Sequence, residues 1–274
     1  MQRQLLLLAI LVGCGNVQGS APVDGASPSP GSDSGAESDP TDVLRGTLRN
    51  GCVLALHMDE AAWSGAAGEV ADDCGGDNPG SVSGLGTSTV DSGVHGRAGR
   101  FTGDGCIDIA NASALHGTTG LTLSAWILPT VLDGGVNNAN GVISKRTDSK
   151  VDSEYNLSVW LQDQVYVDLD GDNDRFNSSA TIRTNAWTQL TLAYDGTLAV
   201  AQRARLYVNG SLDTAKQETS ASLTPFTSTL HVGCMPAPAA GTQQNFVGKL
   251  DEVVIWNRAL SDAEVQQWYA NTKP

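Results

Sequence analysis

An all-β, two-sheet antiparallel sandwich is the fold class this sequence predicts, and three observations predict it. Only 17 % of the 274 residues are charged and 31 are glycine, a balance that suits a turn-rich β protein and not a helical bundle. About a dozen short runs rich in Val, Ile, Thr and aromatics are separated by Gly, Asn and Asp clusters. No helical periodicity interrupts them before the end of the chain, so the strands have only each other to pack against.

The elements follow in order. Cys52–Met58 is an apolar run suited to a buried strand, and Gly105–Ala110 and Leu121–Ile127 alternate. Val142–Lys145, Tyr155–Leu161, Val165–Leu169, Ala180–Arg183, Trp187–Tyr194, Ala204–Val208, Leu230–Gly233 and Lys249–Trp256 complete the series. Asp195-Gly196 and Asn209-Gly210 are dipeptides that tolerate positive φ, so each predicts a tight hairpin. One helix is expected, at the C-terminus. Ser261 and Glu264 form the pattern of a capping box, and Val265, Trp268 and Tyr269 fall on one face that should dock on the sandwich.

Upstream of the strands the chain reads as an address and a tether. Leu5–Val12 is apolar but too short to span a bilayer, and it runs into Leu11-Val12-Gly13-Cys14. That string resembles a bacterial lipobox, so residues 1–14 are expected to be a lipoprotein signal segment with Cys14 as the lipidated residue. Cleavage near Gly19-Ser20, giving a secreted product, is the alternative. Gly15 after the cysteine favours an outer-membrane or cell-surface location. Residues 15–42 are rich in Ser, Gly, Pro, Asp and Glu, with two valines and no aromatic, a composition expected to stay disordered, and residues 43–274 form the folded domain.

Assigning Cys14 to a lipid leaves Cys52, Cys74, Cys106 and Cys234, an even set that predicts two disulfides with three pairings open; a Zn site is the alternative, and the lack of a C-x-x-C or C-x-x-H spacing argues against it. The formal net charge of −14 repels phosphates, so nucleic acid is not an expected partner and the membrane is reached through the lipid alone.

The string from Gly248 through Leu250, Asp251, Glu252, Asn257 and Arg258 to Glu264 resembles the closing signature of laminin-G-like, concanavalin A-like jelly-roll domains. LALHMDE, GRAGRFTGDGCIDI, LTLSAWI, WTQLTLAYDG and ARLYVNG precede it in that family's order, over about residues 50 to 272. The resemblance implies a jelly roll closed by a short C-terminal helix. It also implies a structural Ca²⁺ between the first strand, the loop after it and the last strand, with Asp59, Asp73, Gly75 and Asp251 as matching ligands. The other reading of Asp251 is that it accepts backbone amides. The acidic run Asp168 to Asp174 has its glycine too early for an EF-hand and no closing glutamate, and reads most simply as a strand end entering a polar turn.

Catalytic motifs are wanting. The fold's glucanases carry a Glu-x-Asp-x-x-Glu type triplet, and the one Glu-x-Asp here is Glu37-Ser38-Asp39 in the tether. No G-x-S-x-G, HExxH or P-loop string occurs, and His57 and His231 sit in apolar strands as hydrogen-bonded histidines would. Trp126, Trp160, Trp187 and Trp256 lie in strands and are expected in the core, which leaves Trp63 as the candidate exposed aromatic and Pro236–Asn245 as a candidate recognition loop. The expectation is a non-catalytic, surface-tethered module that binds a glycan or protein at its rim loops. A glycan-cleaving enzyme and a structural envelope module are the alternatives.

Overall fold

The computed structural model describes residues 43–132, 139–147, 153–171, 174–236 and 243–274. The expected signal segment, Cys14 and the tether lie outside them, as does most of the 236–245 loop. In chain order the strands are β1 (Cys52–Leu56), β2 (Gly80–Gly84), β3 (Thr87–Val90), β4 (Ala98–Thr102), β5 (Gly105–Ile109), β6 (Gly120–Pro129), β7 (Asn140–Arg146), β8 (Ser153–Trp160) and β9 (Gln164–Leu169). They continue with β10 (Phe176–Thr181), β11 (Thr188–Asp195), β12 (Ala204–Val208), β13 (Ser211–Lys216), β14 (Leu230–Val232), β15 (Cys234–Pro236), β16 (Gln243–Asn245) and β17 (Val247–Trp256), and the chain ends in helix α1 (Asp262–Thr272).

Two antiparallel sheets face each other. One has the order β13-β12-β11-β6-β17-β4-β3 with β1 also on β17, the other β10-β9-β8-β7-β14-β5-β2, and β15 pairs with β16. The jelly-roll expectation is met. β17 pairs with β6 along one edge, while its other edge is shared end to end by β4 (opposite Val247–Leu250) and β1 (opposite Val253–Trp256). The register shift falls between, at Glu252, whose φ is 49°.

Period-two alternation fills the space between the sheets. In the seven-stranded sheet, Val82, Ile107, Val232, Ile143, Leu157, Val167 and Phe176 stand opposite one another in a single apolar row across all seven strands. With Leu123, Ile127, Leu190, Leu192, Leu250 and Ile255 of the other sheet they form the main core. A second apolar layer covers the outside of the eight-stranded sheet, where Trp256, Val254, Tyr207 and Ala193 meet Leu44, Leu48, Leu260, Val265 and Trp268. Helix α1 sits there as expected: Ser261 Oγ accepts from Glu264 N, Glu264 reaches back to the Ser261 amide, and Tyr269 stacks on Trp126 at 5.7 Å.

Asn209-Gly210 makes the expected two-residue hairpin, with φ of 50° and 72° and Val208 paired to Ser211. Asp195-Gly196 does not. Its backbone is drawn elsewhere, Gly196 N donating to Thr119 O, and a longer loop with a 3-10 turn at Val200–Gln202 reaches β12. The strand expected at Ala180–Arg183 lies earlier, at Phe176–Thr181, because the Ile182 amide leaves the ladder for Asp163 O. Both disulfides form, and the pairing is Cys52–Cys74 and Cys106–Cys234.

Candidate functional site

The residue next to each member of the apolar row points the other way, out of the sandwich. On that outer face Ser81, Asp108, His231, Ser144, Asn156 and Asp168 stand directly opposite one another across six strands, a polar row one residue away from the apolar one. The neighbouring row runs Gly141, Ser158, Tyr166, Asn177. Local sequence explains this: YNLSVW and VYVDL alternate apolar and polar, so β8 and β9 present Asn156, Ser158, Trp160, Tyr166 and Asp168 on one side.

These outward groups are recessed. Ser144, Asn156, Ser158 and Asp168 are 0 % exposed, Arg146 2 % and Tyr166 7 %. Asn156 Nδ2 donates to Ser158 Oγ at 3.3 Å, but Asn156 Oδ1 and Ser144 Oγ have no hydrogen-bond partner, and the Asp168 carboxylate oxygens make no close hydrogen bond, the Ser153 hydroxyl being the donor beside them. Arg146 Nη1 is 3.5 Å and Arg175 Nε 4.0 Å from Asp168 Oδ2, close enough to neutralise its charge without filling its lone pairs. Burial pushes the Asp168 carboxyl up to about 6 against the pull of Arg146, Arg175 and the Ser153 hydroxyl. Trp160 meets Tyr166 edge to face at 5.1 Å, and the Arg175 guanidinium lies 5.9 Å from the centre of the Tyr166 ring. Buried acceptors are ordinarily satisfied, so three acceptor atoms and a hydroxyl without a close hydrogen bond single out this row; it is closed to solvent in this conformation, and a ligand bringing hydroxyl or amine donors reaches it only when the side chains over it move aside.

The residues named from the sequence lie elsewhere. Trp63 is not an exposed aromatic: it packs partly buried against the core, and its Nε1 donates to Glu60 Oε2 at 3.0 Å. Trp126 and Trp256 are buried, but beneath α1 and the 43–48 segment, on the outside of their sheet. Trp160 belongs to the outer face described above and was missed as a site residue.

Asp251 and Asp59 converge on one loop. Asp251 Oδ2 accepts from Val94 N (2.6 Å) and His95 N (3.2 Å), its Oδ1 from Glu252 N (2.9 Å), and Asp59 Oδ1 from Arg97 N (2.6 Å). Asp73 lies 3.7 Å from His57 Nε2, whose Nδ1 is 2.8 Å from Glu252 Oε2. Gly75 makes its turn at φ 75°. Asp59, Asp73 and Asp251 thus do not gather their oxygens at one point, and Asp251 has committed three lone pairs to amides, so the donor set as arranged does not fit a calcium ion. Among the described residues, the group of three metal-type side chains whose ligand atoms converge within 4.8 Å is Cys106, His231 and Cys234.

Fold and face together define a two-sheet jelly-roll sandwich with a buried polar row on the outside of one sheet. The chain belongs to the Laminin_G_3 family of the concanavalin A-like lectin/glucanases superfamily, whose model matches residues 101–266. No curated protein sequence matches it. Among solved structures it is similar to domain 4 of AbnA, a GH43 extracellular arabinanase from Geobacillus stearothermophilus, in complex with arabinotriose (TM-score 0.60, 18 % identity, 80 % of this chain and 98 % of that one). It is similar too to the binding domain of Paraclostridial Mosquitocidal Protein 1 (0.60, 16 %, 81 % and 52 %). A third is botulinum neurotoxin type C, whose cell entry depends on interaction with two ganglioside molecules (0.60, 12 %, 83 % and 53 %). The chain spans nearly all of the first and about half of the two toxin chains. At these identities the likeness establishes the fold.

Proposed function

We propose that this domain is a non-catalytic glycan-binding module that takes its ligand on the recessed outer face of the seven-stranded sheet. The observation that carries the reading is the set of buried acceptors short of close hydrogen bonds, Asp168 and Asn156, beside the Trp160–Tyr166 pair. A sugar presents vicinal hydroxyl donors to such acceptors and an apolar ring face to an aromatic, which is the chemistry both halves of the floor lack. One neighbour solved in complex with arabinotriose and another from a toxin whose cell entry depends on two ganglioside molecules support the class of ligand.

Cleavage is not part of the proposal. On the polar row the carboxylates are Asp108 and Asp168, four strands apart, or roughly 19 Å at ~4.8 Å per strand. Glycosidase pairs stand about 5–9.5 Å apart. Asp108 is moreover bonded to His231 at 2.7 Å.

Lipidation at Cys14 with a surface tether completes the proposed role, holding the module at the bacterial outer membrane or cell surface. Cys14→Ala should release the protein from the membrane fraction or leave it unprocessed. The calcium ion that the family resemblance implies at Asp59, Asp73, Gly75 and Asp251 is not part of the proposal, because that donor set as arranged does not fit it.

A glycan array followed by isothermal titration of the best neutral oligosaccharide tests the function. Asp168→Asn and Asn156→Ala should each weaken binding while the thermal melt stays cooperative. Full affinity in both variants would remove the site, and hydrolysis of the glycan would remove the non-catalytic reading.

A further inference from the structure

At the other end of the polar row a disulfide and a histidine share one place. Cys106 on β5, Cys234 at the start of β15 and His231 on β14 bring two sulfurs and a ring nitrogen within 4.8 Å of one another. The Cys106–Cys234 α-carbons are 5.5 Å apart. His231 Nδ1 is 2.7 Å from Asp108 Oδ1, its direct cross-strand neighbour, which leaves Nε2 as the free ligand atom. A carboxylate on the far nitrogen is the arrangement that orients metal-binding histidines and raises their basicity. Both sulfurs are buried, whereas the His231 side chain is 14 % and that of Asp108 33 % exposed, so one side of the group faces an entry path.

We propose that Cys106, Cys234 and His231 form a Zn²⁺ site when the Cys106–Cys234 bridge is open, so that the same three residues have an oxidised, disulfide state and a reduced, metal-bound state. Tetrahedral zinc holds thiolates at about 2.3 Å and so needs the two sulfurs roughly 3.8 Å apart, a separation side-chain rotation supplies at this α-carbon spacing. The chemistry balances with a dithiol as reductant. Its two thiols become a disulfide, and their two electrons and two protons convert the bridge to two cysteine thiols. Zn²⁺ then takes both sulfurs as thiolates and the neutral imidazole, two protons leave to solvent, and an exogenous water fills the fourth position. Rigid neighbouring strands hold two of the three ligands, and α-carbons 5.5 Å apart suit both states.

The second bridge is the internal control. Cys52 and Cys74 have nearly the same α-carbon distance, 5.6 Å, but no third metal-type ligand converges on them among the described residues. The full chain, reduced with dithiothreitol and desalted anaerobically, should bind one Co²⁺ with thiolate charge-transfer bands and intense tetrahedral d–d bands. Zn²⁺ should displace it, and two protons should appear per metal. Cys52→Ser with Cys74→Ser should keep that spectrum, and Cys106→Ser with Cys234→Ser should lose it. His231→Gln should abolish the tetrahedral bands, and Asp108→Asn, which leaves all three ligands, should weaken binding about 10–100-fold. Circular dichroism checks each variant's fold, and Asp108→Asn decides the matter if His231→Gln does not fold. No tetrahedral spectrum in the reduced chain, unchanged affinity in Asp108→Asn, or a signal that follows Cys52 and Cys74 would overturn the proposal.

Discussion

Two buried polar groups lie within two residues of each other on β7 and β8, and they have opposite characters. Lys145 is fully buried, yet each of its ammonium protons has an acceptor: Asn111 Oδ1 at 2.6 Å, Phe226 O at 2.7 Å and Ser228 O at 2.9 Å. Glu154, 3.9 Å away, accepts from Gly117 N and Phe226 N and pairs with His116. Burial still pushes the Lys145 amine down, with Glu154 pulling it back up. Their outward counterparts, Ser144 and Asn156, sit in the row where acceptors go unpartnered. Saturation marks the first group as a clasp that pins the 111–117 and 226–228 segments to the sheet. Unfilled valence marks the second as a floor. Burial and polarity alone would not have told them apart.

Breaking the clasp should have the largest effect. Lys145→Met strips three acceptors of their donor and leaves Glu154 with His116 alone as its ion partner, and losing one partner of a buried pair typically costs about 3–5 kcal/mol. Urea unfolding should show a loss of that size. Asn156→Ala removes one weak hydrogen bond and one orphan acceptor together, so its midpoint should move by less than about 1 kcal/mol. If the two variants were equally destabilised, the distinction between clasp and floor would fail.

The floor answers in affinity instead. Asp168→Asn should weaken glycan binding at least about tenfold, since a hydrogen bond to a charged group contributes about 1.5–3 kcal/mol and 1.4 kcal/mol is a factor of ten. Lys145→Met, where it remains folded, should bind within about threefold of wild type.

Proton uptake sharpens the contrast further. Burial raises the carboxyls of Asp168 to about 6, Glu218 to about 7 and Asp251 to about 8. For each, the folded state holds its proton more tightly than the unfolded chain, so the stability is present below the unfolded value near 4 and is lost as pH rises through the folded value. His57 runs the same way. Burial disfavours its cation, but Glu252, Asp73 and Asp59 outweigh that and raise it to about 9, so its contribution fades between about 6.5 and 9. Glu264 is the counterweight. Although burial works against it, Arg258 and Ser261 hold it at about 2, and its contribution is lost only as pH falls from about 4.5 toward that value. The urea midpoint should therefore be higher at pH 5 than at pH 8.5, and Asp168→Asn should flatten the part of the decline between about 4 and 6. A midpoint that climbed with pH would contradict these assignments.

How much of this could be read from the chain differs between core and site. Strands β6, β11, β12 and β17 announced themselves, because strands buried on both faces or alternating cleanly carry the signal in their own residues. β3 and β13 are partly exposed edge strands of polar residues, which leaves no hydrophobic period to find. The face was half legible: Asn156, Ser158, Tyr166 and Asp168 alternate in plain view, but only register places Ser144 and His231 beside them. Trp160 misled because an aromatic in an apolar run looks inward whichever face it takes. Trp63 misled for the opposite reason: a loop position says nothing of the Glu60 carboxylate and core wall that hold it.

The smallest expected effect concerns Asp251, where a third buried polar group belongs with the clasp. Its three amide donors come from Val94, His95 and Glu252, so the carboxyl stitches the 93–97 loop to the point where the edge of β17 passes from β4 to β1. Calcium ligation would compete with those amides for the carboxylate's lone pairs, and each amide orphaned in the process costs about 1–3 kcal/mol. An ion bound to the folded state alone would add about 2.7 kcal/mol at a hundredfold excess over its dissociation constant, easily seen in a melt. Wild type should instead melt at the same temperature in millimolar calcium and in chelator, while Asp251→Ala melts lower in both. A calcium-dependent rise that disappears in Asp251→Ala, with one bound ion by elemental analysis, would move Asp251 from the saturated groups to the unsaturated ones.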